Sequence, residues 1–216
     1  MRLYLVRHAE SLVNAQKIHQ SADTPLHERG FAQIDRVAAR LAPVGIDAIL
    51  ASPYERTKVT AEHLAEHLGG VPITFMEDLR EIRRPSEMQG KKTTDPDVLA
   101  IQAQIVAHYA DPNYAYSDEE TFNDLKARGG RVLDAVAALG KNKVLAVSHA
   151  AFIRVITACA MFGSDLAPRE YQGLWSTFID NAGVTILEHD AAFAPMHPWG
   201  SPWKIQTVND AERLSS

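Results

Sequence analysis

The 216-residue chain contains one cysteine, Cys159, which excludes an internal disulfide and a thiolate metal cluster. Cys159 lies within the apolar run Phe152 to Met161 and reads as a small core residue. No window approaches the ~18–20 apolar residues that a bilayer-spanning helix needs, so no membrane partner is expected. A net charge of −5 and the lack of any Lys/Arg run argue against nucleic acid as a partner. No charged leader with an apolar stretch and cleavage site precedes the first apolar run, and a cytoplasmic location is expected. Repeats, low-complexity tracts and Ser/Gly linkers are all missing, which disfavours a divided chain. With 46% apolar and 23% charged residues, the expectation is one soluble globular domain over 1–216.

The stretch that stands out is Leu3-Tyr4-Leu5-Val6-Arg7-His8-Ala9-Glu10-Ser11. Continuous apolar character ending in a polar break suits a strand buried on both faces of a parallel sheet. Arg7 and His8 would then sit at its carboxyl end, the edge where open α/β sheets bind ligands. A neutral imidazole there can attack an electrophile, and a guanidinium can hold two oxygens of an anion. A buried histidine beside a surface arginine accounts for the stretch alone equally well.

The same strand–helix alternation continues. Gly30 leads a helical pattern through Phe31, Ile34, Val37, Ala38 and Leu41; Asp47 to Ala51 reads as a strand. Tyr54 to Leu68 reads as a helix and Pro72 to Met76 as a short strand. Arg80 to Lys92 has no clean period, while Asp95 to Ala110 and Ser117 to Leu139 read as helices, together a helical insertion at about 91–139. Lys143 to His149 repeats the opening pattern, and the helix Ala150 to Phe162 follows. Two late strands, Gly183 to Leu187 and Trp203 to Val208, flank a long Pro-containing connection. The expected fold is a three-layer αβα sandwich with a mainly parallel central sheet.

In such a sheet Arg7, His8, Arg56 and His149 all follow strand ends and share one edge. Two arginines and two histidines around one point suit a phosphate, helped by backbone N–H groups of a helix expected after a strand. One histidine could take the phosphoryl group while the other stabilises developing charge. A proton donor for the leaving alkoxide is still needed, and Glu81 is the candidate, with its pKa raised by burial and a neighbouring anion. A solvated carboxylate among arginines is the plainer account of Glu81.

Arg7-His8-Ala9-Glu10-Ser11 with Asn14 resembles the Arg-His-Gly-Glu signature of the histidine phosphatase superfamily, in its phosphoglycerate mutase-like branch. Pro25-Leu26 with Gly30 and Gln33, Ser52 to Thr57 with Thr60-Ala61, Leu79-Arg80-Glu81 to Gly90, Val147-Ser148-His149 and Asn181 resemble further family motifs in the same order. The resemblance implies that His8 forms a phosphohistidine, that Arg7, Arg56 and His149 bind the phosphoryl group with Asn14 assisting, and that Glu81 is the proton donor and then the base for water. It implies no cofactor and no metal. Ser11 belongs to the motif, either near substrate or as the cap of a following helix.

Ala9 and Ala150 stand where the family usually has glycine, which is tolerable if φ stays negative. The acid segment departs from the family pattern, leaving Glu87 as a rival to Glu81. Asp95 to Arg128 lacks the arginine-rich stretch before paired prolines with which mutases clamp a second phosphate. Hydrolysis of a small phosphate monoester is therefore expected ahead of mutase transfer, with a phosphoprotein substrate left open. A phosphate-recognising regulatory module without catalysis, or a purely structural α/β domain, are the further alternatives. Arg83 and Arg84 are candidates for a second anionic group of the substrate, or simply surface partners of Glu87.

His63 and His67 are four apart on a helix, a spacing that can bind a metal. They lack the glutamate of His-Glu-x-x-His and an obvious third ligand, and the flanking Glu62 and Glu66 suggest a solvated face. His19, His27, His108, His189 and His197 have no evident convergent partners. The tryptophans read as packing anchors, with Trp175 a candidate for the pocket mouth. Tyr114 and Tyr116 could contact substrate.

Overall fold

A computed structural model describes residues 1–14, 16 and 18–211. The apolar run at the N-terminus forms β1 (Arg2–Arg7), and its alternating side chains enter two different cores. Leu3 and Leu5 point to one face of the sheet, Tyr4 and Val6 to the other. Such burial on both faces requires helices on both sides. On the Tyr4 and Val6 side lie α1 (Glu28–Leu41) and α2 (Glu55–His67), through Ile34, Val37, Leu41, Ala61 and Leu64. On the Leu3 and Leu5 side lie α4 (Phe122–Ala138) and α5 (Ala150–Phe162), through Val132, Val136, Phe152 and Ile156. The three-layer sandwich is thus present.

The remaining strands are β2 (Ala48–Ala51), β3 (Ile73–Phe75), β4 (Lys143–Ser148), β5 (Val184–His189) and β6 (Trp203–Asp210), in the order β3-β2-β4-β1-β5-β6. The β1–β4, β2–β4 and β2–β3 pairs are parallel, while β5 is antiparallel to both β1 and β6. Only β5 runs against the common direction, so the sheet is mainly parallel. Register aligns the strand ends: Val6 and Ala51 both pair with Val147, and Arg7 with Ser148. The residues that follow, His8, Ser52 and His149, therefore emerge side by side.

Within the segment 91–139, the two helices behave differently. The first, α3 (Pro96–Ala107), packs Val98 and Ile101 on Met88 as a small separate cluster. The second, α4, belongs to the main sandwich. It begins at Phe122 rather than near Ser117, because Thr121 and Asp124 form a reciprocal capping box (Asp124 N–H to Thr121 Oγ1, 3.1 Å; Thr121 N–H to Asp124 Oδ2, 3.0 Å). A further short helix, α6, spans Pro168–Gly173. No helix among the described residues is long and apolar enough to cross a membrane. Cys159 is buried as expected.

One glycine is fixed by space rather than by φ. A Cβ on Gly30, in the first turn of α1, would lie 2.8 Å from the Glu10 carbonyl oxygen and 3.3 Å from the Ala9 side chain. This close approach seats α1 directly against the turn that follows His8.

Candidate active site

His8 leaves β1 with its backbone N–H bonded to the Ser148 carbonyl (2.9 Å), which ties the first and fourth strand ends together. Its Nδ1 lies 2.8 Å from the Ala9 carbonyl oxygen, so Nδ1 carries the proton and Nε2 presents a lone pair. Arg56, in the first turn of α2, donates from Nε to that Nε2 (3.3 Å) and from a terminal nitrogen to Nδ1 of His149 (3.1 Å). His149 in turn donates from Nε2 to the Ser52 hydroxyl (2.9 Å). The two imidazole centroids are 5.3 Å apart, and one guanidinium bridges them.

Burial chiefly, then the positive charges of Arg56 and Arg7, holds His8 well below the usual histidine range. Burial first, then the charge of Arg56 and the neighbouring His8, likewise hold His149 well below that range. Both rings are neutral at pH 7, the state in which an imidazole is nucleophilic. Arg7 is pushed down to about 10 by burial, against the opposing pull of Glu81. It donates to the Ile179 carbonyl (2.7 Å), while its buried Nε has no partner among the described residues.

Glu81 lines the same cleft, a cavity of about 580 Å³ shared with Arg7, His8, Asn14, Arg56, Arg83 and Arg84. Its carboxylate sits at the N-terminus of α5, accepting the N–H groups of Ile82 (3.0 Å), Phe152 (3.0 Å) and Ala151 (3.4 Å). Glu87 lies outside the cleft lining and accepts a hydrogen bond from Ser117 instead. The helix N-terminus expected after a strand is that of α5, which follows β4, while β1 leads into turns.

Asn14 reaches the cleft and also orders it, its Oδ1 accepting from the Ser11 N–H (2.8 Å) and hydroxyl (2.7 Å). Ser11 is fully buried behind the cleft and caps no helix among the described residues, where turns follow it. Asn181, just before β5, donates to the His8 carbonyl (3.0 Å). Ala9 and Ala150 keep negative φ; among the described residues Ala182 and Asn209 are the non-glycine positions at positive φ. Arg83 and Arg84 line the cleft without an ion pair among the described residues, and Arg84 stands over the Trp175 ring at 5.7 Å. Tyr114 and Trp175 line an adjoining, mostly apolar cavity of about 120 Å³, whereas Tyr116 does not.

Two contributors escaped sequence reasoning. His19 lines the cleft, its Nε2 buried and without a partner among the described residues. It lies in a polar loop with no periodicity to mark it. Arg128, in the middle of α4, is buried and forms a two-pronged pair with Glu120 (both 2.7 Å). It also donates to the carbonyls of Asp78 (2.9 Å) and Arg80 (2.7 Å), the turn that presents Glu81.

Fold and site together define a three-layer α/β protein with a buried cationic pocket in which one arginine joins two neutral histidines. The histidine phosphatase superfamily (branch 1) model matches residues 3–200, and the chain belongs to that family. A probable phosphoglycerate mutase of Erwinia tasmaniensis is 26% identical over 217 residues, 99% of this chain and 95% of that protein. A putative phosphoserine phosphatase 2 of Hydrogenobacter thermophilus is 29% identical over 187 residues, 85% of this chain and 87% of the other. The structure of a mycobacterial glucosyl-3-phosphoglycerate phosphatase complexed with VO3 shares the fold at a TM-score of 0.80 and 23% identity, covering 97% and 99% of the two chains.

Proposed function

We propose that this protein hydrolyses phosphate monoesters through a phosphohistidine at His8, without a metal in the chemical step. The observation that carries the reading is the Arg56 bridge: a single guanidinium donates to His8 Nε2 and His149 Nδ1 inside a cleft that Glu81 also lines. A phosphoryl group entering there displaces those contacts and takes up the guanidinium donors itself. The unpartnered Nε of Arg7 supplies a further donor.

In the first step His8 Nε2 attacks phosphorus in line, forming the N–P bond as the ester P–O bond breaks. The protonated Glu81 carboxyl gives its proton to the departing alkoxide, which leaves as the alcohol. In the second step the Glu81 carboxylate takes a proton from water, whose oxygen attacks phosphorus and releases His8 with inorganic phosphate. Arg7, Arg56 and His149 hold the equatorial oxygens through both steps. The α5 N-terminus orients the carboxylate, and the Nδ1–H of His8 bonded to Ala9 fixes the nucleophilic tautomer. The alcohol portion extends toward Arg83 and Arg84, where an anionic substituent finds unpaired guanidinium groups, and toward the aromatic side cavity beyond.

Mutase transfer is the second reading, favoured by the naming of the Erwinia relative. Parallel assays separate the two. Release of inorganic phosphate from an aryl phosphate and from phosphoserine in EDTA supports hydrolysis. Interconversion of phosphoglycerates that depends on bisphosphoglycerate, with negligible phosphate release, overturns it in favour of the mutase.

A further inference from the structure

The sequence pair His63 and His67 lacked a third ligand, and the fold provides one. Asp35 of α1 faces both histidines of α2 across the helix pair. Its Oδ1 lies 2.9 Å from Nε2 of His63 and 3.6 Å from Nε2 of His67. Tetrahedral Zn²⁺, with ligands at about 2.0–2.1 Å, sets its donor atoms roughly 3.3–3.4 Å apart. The two observed separations bracket that edge length.

The orientation of the rings points the same way. Nδ1 of His67 lies 2.9 Å from the His63 carbonyl oxygen, one turn back, and donates its proton there. A metal-binding histidine is commonly held by this kind of bond from its second ring nitrogen. It leaves Nε2 of His67, 3.6 Å from the Asp35 carboxylate oxygen, as the ring nitrogen free to take an ion. The Phe31 ring meets His63 edge-on at 5.6 Å and limits its rotation. The two imidazole centroids stand 4.5 Å apart, near enough for both rings to share one ion.

We infer that Asp35, His63 and His67 form a binding site for a divalent transition metal of the Zn²⁺ class, with water completing the tetrahedron on the exposed side. Two imidazoles and one carboxylate favour Zn²⁺ over Mg²⁺ or Ca²⁺, which prefer all-oxygen shells. The ion would clamp α1 to α2. His63 follows Arg56 by seven residues, about 10 Å of helix, so the ion stands apart from the phosphate cleft and takes no part in the chemistry. Its effect is to stabilise the helix pair whose second member carries Arg56 in its first turn.

The test uses the tag-free full chain, stripped with EDTA and dialysed, titrated with Zn²⁺ by calorimetry and followed by thermal melting. One equivalent should bind and raise Tm. His63→Ala and His67→Ala should each weaken binding at least about tenfold and remove the Tm shift, and Asp35→Asn should weaken it, all with phosphatase turnover unchanged. Co²⁺ should give the visible absorption of a tetrahedral site in the wild type but not in His67→Ala. Comparing each variant with and without metal keeps the readout independent of its basal stability. The proposal is overturned if stripped wild type shows no metal-dependent Tm, if the histidine variants bind as the wild type does, or if binding disappears in His8→Ala instead.

Discussion

Arg128 offers the most informative perturbation of the scaffold behind Glu81. Its guanidinium and the Glu120 carboxylate are 2% and 6% exposed, and the pair is joined by two hydrogen bonds of 2.7 Å. The substitution Arg128→Met keeps the apolar stem over the Phe152 ring, which the guanidinium carbon now approaches to 3.7 Å, but strands the Glu120 charge. Removing one partner of a buried pair costs about 3–5 kcal/mol. Glu120 would keep the Arg83 N–H at 2.7 Å and the distant Arg80 guanidinium at 4.0 Å, so the lower end, about 3 kcal/mol, is expected. For a chain of this size that corresponds to a Tm lower by roughly 6–12 °C. Because Arg128 also holds the Asp78 and Arg80 carbonyls, kcat should fall more than KM changes. Adding Glu120→Leu removes the stranded charge and should restore about half of the stability. Urea denaturation of both variants decides the matter. A loss under about 1 kcal/mol for Arg128→Met, or a double variant no more stable than the single one, refutes the reasoning.

Other outcomes follow from the same geometry. Gly30→Ala should destabilise by about 1–3 kcal/mol, despite alanine's better helix propensity, because its Cβ meets the Glu10 carbonyl at 2.8 Å; a melt equal to or above that of the wild type contradicts this. Arg56→Ala should lower kcat/KM by about 10²–10³, and Arg56→Lys should recover little of it, since an ammonium cannot reproduce the fork to both histidines; full rescue by lysine argues against the bridge. Burial holds His8 and His149 neutral when folded, whereas the unfolded chain protonates them near pH 6.5. The unfolded state therefore binds more protons, and the stability these two groups contribute is fully present above that pH and lost as pH falls below it. The slope should approach about 1.4 kcal/mol per pH unit for each histidine, and urea midpoints of His8→Asn between pH 7 and 5.5 should show it reduced by one proton's share.

The legible parts of the chain were those whose signal is local. An apolar run such as Leu3 to Val6 announces a buried strand, and parallel register then carries His8, Ser52 and His149 to one edge without further information. The end of α5 at Phe162 agrees with the sequence because Gly163 follows at a positive φ. Where a local signal was weak, the reading slipped. The sequence pattern begins α4 at Ser117, whereas the cap of Thr121 with Asp124 starts it at Phe122. Ser11 resembled a helix cap by residue type, yet its hydroxyl turns inward to Asn14. Residues whose role depends on distant partners were not readable at all. Arg128 looks like any cation in a helix until Asp78, Arg80 and Glu120 surround it, and Asp35 becomes a neighbour of His63 only once α1 and α2 pack together.

The central claim, that the phosphoryl group passes through His8, is tested most directly by trapping it. Wild type and His8→Ala are mixed with an aryl phosphate in EDTA, quenched rapidly at alkaline pH to preserve a phosphoramidate, and measured by intact mass and peptide mapping. The wild type should gain one phosphoryl group on the peptide containing His8, and His8→Ala should show neither adduct nor turnover. Turnover retained by His8→Ala, or an adduct mapped to another residue, would contradict the account.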